Sequence, residues 1–375
     1  MRMLVLGAGL QGSACAYDLL RQPDVELVTL ADHHTGRLPA FLKKSKRLKQ
    51  LKLDVTSGPA LRRALKGQDA VLCALPYYFN AVVAKAAVAA GVHHSDLGGN
   101  TDIVRQQMKL DKAARKAEVS VVPDCGLAPG MVNILAAEGI RRVGAADNVQ
   151  IYVGGLPQHP EPPLNYHIVY SLEGALDYYT TPSWVLRDSQ PTQVDALSDL
   201  EPITFPQPIG ELEAFHTGGG ISTMPWTWAG KIRSMEYKTL RYPGHAHIMK
   251  AIRELGLLGN KPIKVKGETV VPRAAFIAAV SPKLTRPGAH DLVALRVVVT
   301  GTNGKRAAWE LLDYCDQETG ISAMMRTTGY SLSITGLMQV DGRISKHGVL
   351  TPDMAVPFGA YVNELAHRGV RIQEI

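Results

Sequence analysis

The chain is poor in cysteine, aromatics and long apolar runs. Its four cysteines in 375 residues, Cys15, Cys73, Cys125 and Cys315, stand far apart and form no Cys-x-x-Cys pair. That spacing excludes a disulfide framework and a thiolate zinc site, and predicts reduced core thiols in a cytoplasmic protein. No apolar run is long enough to span a bilayer. The first strand begins at once, which leaves no room for a signal peptide. No Gly-x-Ser-x-Gly elbow marks a serine hydrolase. No His-Glu-x-x-His occurs, and the adjacent pairs His33-His34 and His93-His94 point to opposite faces of a strand, so no metal is expected.

Apolar residues make up 46% of the chain, enough for a sizeable core, and the length favours two domains. Lys and Arg outnumber Asp and Glu by 41 to 34, a net charge of +7. Much of the excess lies in Lys43-Lys44-Ser45-Lys46-Arg47, Lys49 and Lys52. With no aromatic interleaved, this run reads as a solvated helix on a domain rim, not a nucleic-acid platform.

The most informative stretch is the first. Met3 to Leu6 reads as a buried strand, Gly7-Ala8-Gly9-Leu10-Gln11-Gly12 as a turn, and Ser13 to Leu20 as a helix. Val25 to Leu30 follows as a second strand, and Asp32 stands twenty residues after Gly12. This is the dinucleotide-binding pattern in its full context. Gly7 permits the turn, Gly9 lets a pyrophosphate approach the backbone, and Gly12 lets the helix pack close. Leu10 and Gln11 open the helix whose N-terminus faces the phosphates. Asp32 suits the ribose hydroxyls of NAD and repels a 2′-phosphate. Arg37 leaves NADP open.

Strands are predicted next at Leu51–Val55, with Asp54 joining the cofactor contacts, then at Ala70–Leu75, Val92–Leu97 and Val119–Val122. Helices fall at Phe79–Ala90 and Asp102–Ala117. The alternation implies a doubly wound parallel sheet over 1–128. Beyond it, a helix at Met131–Arg142 leads to strands at Val149–Val153, Lys231–Leu240, Ile263–Val265 and Leu292–Thr300. These predict an α+β substrate domain over 129–321 with a mixed, mostly antiparallel sheet. A long helix at Ser322–Val340 and a last one at Pro352–Arg368 form a segment, 322–375, expected to return to the first domain.

Ligands of an open parallel sheet lie beyond the strands' carboxyl ends. That places Leu75 and Pro76 along the cofactor and Gly126 and Leu127 beside its nicotinamide. It brings Asp96 and Asp124 near the reacting centre. For Asp96 an alternative role is to cap the next helix and order the Gly98-Gly99 turn.

Leu-Gly-Ala-Gly-Leu-Gln-Gly, Ala-Leu-Pro-Tyr-Tyr-Phe-Asn, Asp-Leu-Gly-Gly and Pro-Asp-Cys-Gly-Leu-Ala-Pro-Gly-Met-Val-Asn together resemble the saccharopine dehydrogenase-like superfamily. The blocks at Tyr152–Pro157, Glu161–Tyr166, Ser171–Gly174, Glu213–Thr217, Glu236–Tyr242 and Gly244-His245 are similar to those of its lysine 6-dehydrogenases. The resemblance implies an NAD-dependent, homo-oligomeric oxidoreductase. It would convert the ε-amine of L-lysine to 2-aminoadipate 6-semialdehyde, which cyclises, and ammonia. Saccharopine reductases of the superfamily carry an acid where Ala128 stands. Alternatives are a saccharopine or carboxynorspermidine-type dehydrogenase, or a non-catalytic NAD-binding protein.

Hydride leaves the ε-carbon only when the nitrogen lone pair is free, and the ammonium of lysine has a pKa of about 10.4. A base is therefore required, and Asp96, Asp124 and His216 are the candidates. Glu173 can hold a substrate amine. Arg241 can fork a carboxylate, assisted by Lys238 and His245, unless Glu236, Lys238 and Arg241 are cross-strand pairs. Tyr77 and Tyr178 can line the aliphatic stem.

Overall fold

The computed structural model describes residues 1–36, 38–42, 45–168, 171–286 and 288–375. Its first layer starts with β1 (Arg2–Leu6), α1 (Leu10–Leu20), β2 (Leu27–Asp32), β3 (Leu48–Lys52), α2 (Gly58–Leu65) and β4 (Ala70–Cys73). It continues with α3 (Asn80–Ala90), β5 (His93–Asp96), α4 (Thr101–Met108), α5 (Asp111–Lys116) and β6 (Ser120–Val122). Met3 to Leu6 and Ala70 to Cys73 are fully buried. Helices cover both faces of such strands, so their sequences are continuous in apolar residues rather than alternating.

Two expectations fail here. Among its described residues the basic run forms no helix. Lys43 and Lys44 lie outside the described residues, and Lys49 and Lys52 stand exposed on β3, the edge strand beside β2. Lysines on an edge strand discourage pairing with another chain, and they masked a strand expected only at Leu51–Val55. The helix expected over Asp102–Ala117 is broken between α4 and α5. Buried Gln107 turns its amide onto Asp96, and the last turn tightens as Leu110 N donates to Gln107 O at 2.8 Å.

The chain then crosses on α6 (Met131–Val143) to β7 (Ala146–Pro157), α7 (Leu172–Thr180), β8 (Ser183–Arg187), β9 (Gln190–Val194), β10 (Glu201–Phe205) and β11 (Gly210–His216). There follow α8 (Met224–Thr227), β12 (Ser234–Arg241), α9 (His245–Glu254), β13 (Ile263–Val265), β14 (Glu268–Val270), α10 (Pro272–Leu284), β15 (Asp291–Gly301) and β16 (Arg306–Tyr314). The second sheet runs β10-β11-β12-β7-β15-β16, antiparallel except where β12 meets β7. Helix α6 lies so close on it that a methyl group at Gly139 would stand 2.5 Å from Val299.

The last elements are α11 (Ala323–Val340), β17 (Gly348–Val349), α12 (Pro352–Ala355), α13 (Phe358–His367) and β18 (Gln373–Glu374). Helix α11 is buried almost all round, as a helix passing between layers must be. The Asp291 carboxylate of β15 accepts from Ala323 N at 2.7 Å and Met324 N at 2.9 Å, which fixes its start. Gly329 packs on Gln11 and Ala14 of α1, and Gly336 on Leu72 of β4. Gln339 donates to His94 O at 2.9 Å and Ser120 O at 3.0 Å. Strand β17 extends the first sheet beside β6, and β18 extends the second beside β16. Among the described residues no helix is long and apolar enough to cross a membrane.

Candidate active site

The turn from β1 to α1 has the shape a dinucleotide needs. Gly7 has φ +96°, a region that favours glycine. A methyl group at Gly12 would stand 1.8 Å from Gly7 O, whereas one at Gly9 would meet nothing within 4 Å. The turn is therefore closed on its inner side and open where a pyrophosphate would lie. No side chain caps α1, so its first N–H groups face that opening.

Asp32 closes the far end, lining a cavity of about 280 Å³ with Gly9, His34, Thr35 and Gln50. Its carboxylate accepts from Ala8 N at 2.7 Å and His34 N at 3.0 Å, and His33 Nδ1 lies 3.0 Å away. Partial burial pushes this carboxyl up, but these partners outweigh it and hold the pKa below the ordinary range. Arg37 is outside the described residues. Asp54 does not line this cavity; it sits exposed and accepts from Thr56 N and Oγ1. These residues fit a dinucleotide whose adenosine ribose sits at Asp32.

Between the two sheets opens a cleft of about 680 Å³. Gln11, Leu75, Pro76, Tyr77, Gly126 and Leu127 line it from the first layer and Glu173, Tyr178 and Arg241 from the second, joined by Met324 and Thr328 of α11. Leu10 is half exposed at the start of α1, outside the lining residues. Arg241 is buried, its guanidinium 4.9 Å from the centre of the Tyr166 ring and its Nη1 donating to Leu240 O at 2.8 Å. His245 beside it is tied by Nδ1 to Leu164 O at 2.9 Å and by Nε2 to the Tyr179 hydroxyl at 3.0 Å. Burial, and then the Arg241 charge, push its pKa down to about 3, so it stays neutral.

Lys238 and His216 are not brought to this cleft. Side chains alternate along a strand, so Tyr237, Thr239 and Arg241 share one face of β12 and Lys238 takes the other. His216 pairs in register with Lys238 from β11 and shares that outer face. There Lys238 Nζ donates to Glu201 Oε1 at 2.9 Å, and His216 Nε2 lies 3.2 Å from Asp199 Oδ2. Burial lowers the His216 pKa. Each is thus engaged on the back of the sheet, with the sheet itself between it and the cleft.

Asp96 is fully buried and does not line the cleft. It accepts from Gln107 Nε2 at 2.6 Å and Gly98 N at 2.8 Å, and pairs with His94 Nε2 at 3.0 Å. It orders the Gly98-Gly99 turn, while Asn100 caps α4. Asp124 differs. It is buried at φ +62°, and neither carboxyl oxygen has a hydrogen-bond partner of good geometry. Ser222 and the Gly99 N–H lie near enough to favour its charged form, but burial and the Asp96 charge push its pKa up to about 7. Its carboxyl lies against Gly98, which lines the cleft.

The cleft also holds residues the sequence did not single out. Tyr237 and Thr239 were accessible to the alternation that ends at Arg241. Arg273 of α10 and Asp177 of α7, which pair with each other, carried no sequence signal. Among the described residues no cluster of three His, Cys, Asp or Glu side chains could hold a metal ion.

Residues 3–122 match the family described as saccharopine dehydrogenase NADP binding domain, and residues 126–370 that described as saccharopine dehydrogenase C-terminal domain. The chain belongs to the saccharopine dehydrogenase family. It is 24% identical to a saccharopine dehydrogenase [NADP(+), L-glutamate-forming] of Schizosaccharomyces pombe, over 99% of this chain and 98% of that one. It is 27% identical to the mitochondrial alpha-aminoadipic semialdehyde synthase of Mus musculus over 69% of this chain, but spans only 29% of that protein's length. The solved apo saccharopine dehydrogenase (L-Glu forming) of Saccharomyces cerevisiae superposes with a TM-score of 0.80 at 21% identity, covering 100% of this chain and 99% of that one. The homospermidine synthase of Legionella pneumophila, solved with NAD, gives 0.73 at 9% identity, covering 100% and 91%. Both structures share the fold, a Rossmann-like parallel sheet joined to a mixed-sheet domain. Family membership gives the chain a pyridine-nucleotide-binding domain over residues 3–122.

Proposed function

We propose that this family member uses NAD to oxidise the ε-carbon of L-lysine, giving 2-aminoadipate 6-semialdehyde and ammonia. The observation that carries this reading is that one cleft contains both the cofactor turn, through Gln11, and the buried guanidinium of Arg241. A planar guanidinium suits the α-carboxylate, which it can bind through two parallel hydrogen bonds. Glu173 faces the same space and suits the α-ammonium. Tyr77 supplies an apolar flank for the methylene stem. Leu75, Pro76, Gly126 and Leu127 form the surface against which the nicotinamide would rest. Bound there, NAD supplies the hydride acceptor.

The protein must hold the amine neutral until the hydride leaves, then let water attack the resulting iminium. Of the three groups considered as base, His216 faces away and Asp96 is engaged on both oxygens, so Asp124 is favoured. Ala128 lines the cleft where saccharopine reductases of the superfamily carry an acid, which favours lysine over saccharopine. Asp32 supports NAD over NADP, since a carboxylate lining this cavity would repel a 2′-phosphate.

The names of the relatives favour a second reading, oxidation of saccharopine. Arg273, a second guanidinium in the cleft, suits the further carboxylates of that substrate. Its pairing with Asp177 and with Thr180 Oγ1 at 2.8 Å weakens this. Absorbance at the reduced-nicotinamide band, with ammonia measured alongside, separates the readings. Lysine with NAD should give both signals in equal amount. Turnover with saccharopine alone would move the substrate, and cofactor binding without turnover on any amine would remove the catalytic reading.

A further inference from the structure

We propose that Tyr178 carries the proton of the substrate amine to Asp124 across the Gly98-Gly99 turn. The inference rests on the amine-oxidising reading of the cleft and adds the route by which the amine loses its proton.

Asp124 alone does not touch the cleft. Its carboxyl lies behind Gly98, where a methyl group would stand 1.8 Å from Oδ1. Tyr178 does line the cleft, from α7. Its hydroxyl faces the next residue of the same turn, 3.1 Å from where a methyl group on Gly99 would be. Both glycines have positive φ, +66° and +105°. The Gly98-Gly99 turn thus stands between a cleft-lining hydroxyl and a buried carboxyl, and the absence of side chains lets both press against it. A side chain at 98 would collide with Asp124 and one at 99 would crowd the Tyr178 hydroxyl.

The electrostatics give the route a direction. Burial, and after it Tyr237 and Asp124, push the Tyr178 pKa up, so the phenol stays neutral and serves as donor and acceptor at once. The groups facing Asp124 are Asp96 from β5, Asp353 from α12, its neighbour Cys125, Tyr178, Ser222 and the Gly99 N–H. The two carboxylates raise its proton affinity, and Ser222 and the Gly99 N–H offset this only in part. In the step, an N–H bond of the ammonium breaks as an O–H bond forms on Tyr178. The original Tyr178 O–H breaks as one forms on Asp124. The amine is left neutral with its lone pair free, and the tyrosine is unchanged. The hydroxyl and carboxyl are not hydrogen-bonded in this structure; the relay requires that rotation of the Asp124 side chain or an intervening water link them in the loaded enzyme.

The test compares the wild type with Asp124→Asn and Tyr178→Phe, assayed with NAD and L-lysine from about pH 7 to about pH 10. Each variant should lose roughly 100-fold in kcat/KM near neutrality. The loss should shrink toward about pH 10, where the amine sheds its proton unaided. The double variant should lose no more than either single one, and NADH affinity by fluorescence should stay at the wild-type level. Losses equal at every pH, losses that multiply in the double variant, or wild-type rates in Tyr178→Phe would overturn the relay while leaving the functional reading intact. If Asp124→Asn fails to fold, Tyr178→Phe alone decides by the same pH criterion. If the wild type reduces NAD with neither lysine, saccharopine nor a diamine, the functional reading falls and the relay falls with it.

Discussion

The Asp124 carboxyl occupies the place a side chain on Gly98 would take: a methyl group there would lie 1.8 Å from Asp124 Oδ1 and 2.8 Å from its Cγ. Gly98 also lies at φ +66°, where a larger residue is strained. Gly98→Ala should therefore cost about 1–3 kcal/mol of stability and displace the carboxyl. A thermal melt should show the lowered midpoint. The folded fraction should bind NADH normally yet turn over poorly, because the cofactor turn lies elsewhere.

Arg241 and Lys238 are three residues apart on one strand and face opposite sides of the sheet, so their substitutions should part company. Arg241→Lys keeps the charge but loses the planar fork. It should raise KM for lysine, with a loss on the order of 10- to 100-fold in kcat/KM, the range of a charged hydrogen bond. Lys238→Ala should leave KM unchanged and lower only the melting temperature, because its partners Glu201 and Asp199 lie behind the sheet. Steady-state kinetics on the pair checks both.

Asp32 holds Ala8 N and His34 N while presenting charge to the cavity at the end of the cofactor turn. Asp32→Ala should weaken NAD binding by roughly 10- to 100-fold, the worth of hydrogen bonds to a charged group. It should also narrow the gap between NAD and NADP. Titration of protein fluorescence with NADH and NADPH measures both. Unchanged NADH affinity would remove Asp32 from the cofactor site.

The raised pKa of Asp124 links stability to pH. The folded carboxyl, at about 7, holds its proton where the unfolded one, at 3.8, has lost it. Between these values the native state binds more protons than the unfolded state, so this group lowers stability as pH rises through the window. Asp124→Asn should flatten that part of the melting-temperature profile, and a profile identical to the wild type would contradict the burial argument.

The first layer was legible because its strands are buried on both faces and its glycines have fixed jobs. Met3–Leu6, Gly7, Gly9, Gly12 and Asp32 can be read in order, and in the structure Asp32 accepts from Ala8 N within the turn they form. Strand β3 was misjudged because a lysine-rich edge strand looks like a solvated helix. Strand β17 is two residues long and returns to the first sheet more than two hundred residues after β6, a pairing no local pattern announces. In the site, Arg241 could be picked as the residue type that forks a carboxylate. Taking Lys238 as its assistant and His216 as a base overlooked the alternation along β12 and β11. Arg273 reaches the cleft from a helix whose sequence has no distinguishing pattern, and only the packing of α10 on α7 brings it there.

The central claim is that the ε-nitrogen of lysine is the one released. Lysine carrying 15N at the ε-position, incubated with NAD and the protein, tests this by NMR of the products. Oxidation at the ε-carbon predicts that the label appears as ammonium in step with reduced cofactor, while 15N at the α-position stays in the organic product. Release of the α-label, or retention of the ε-label in an amino acid while NAD is reduced, would contradict it.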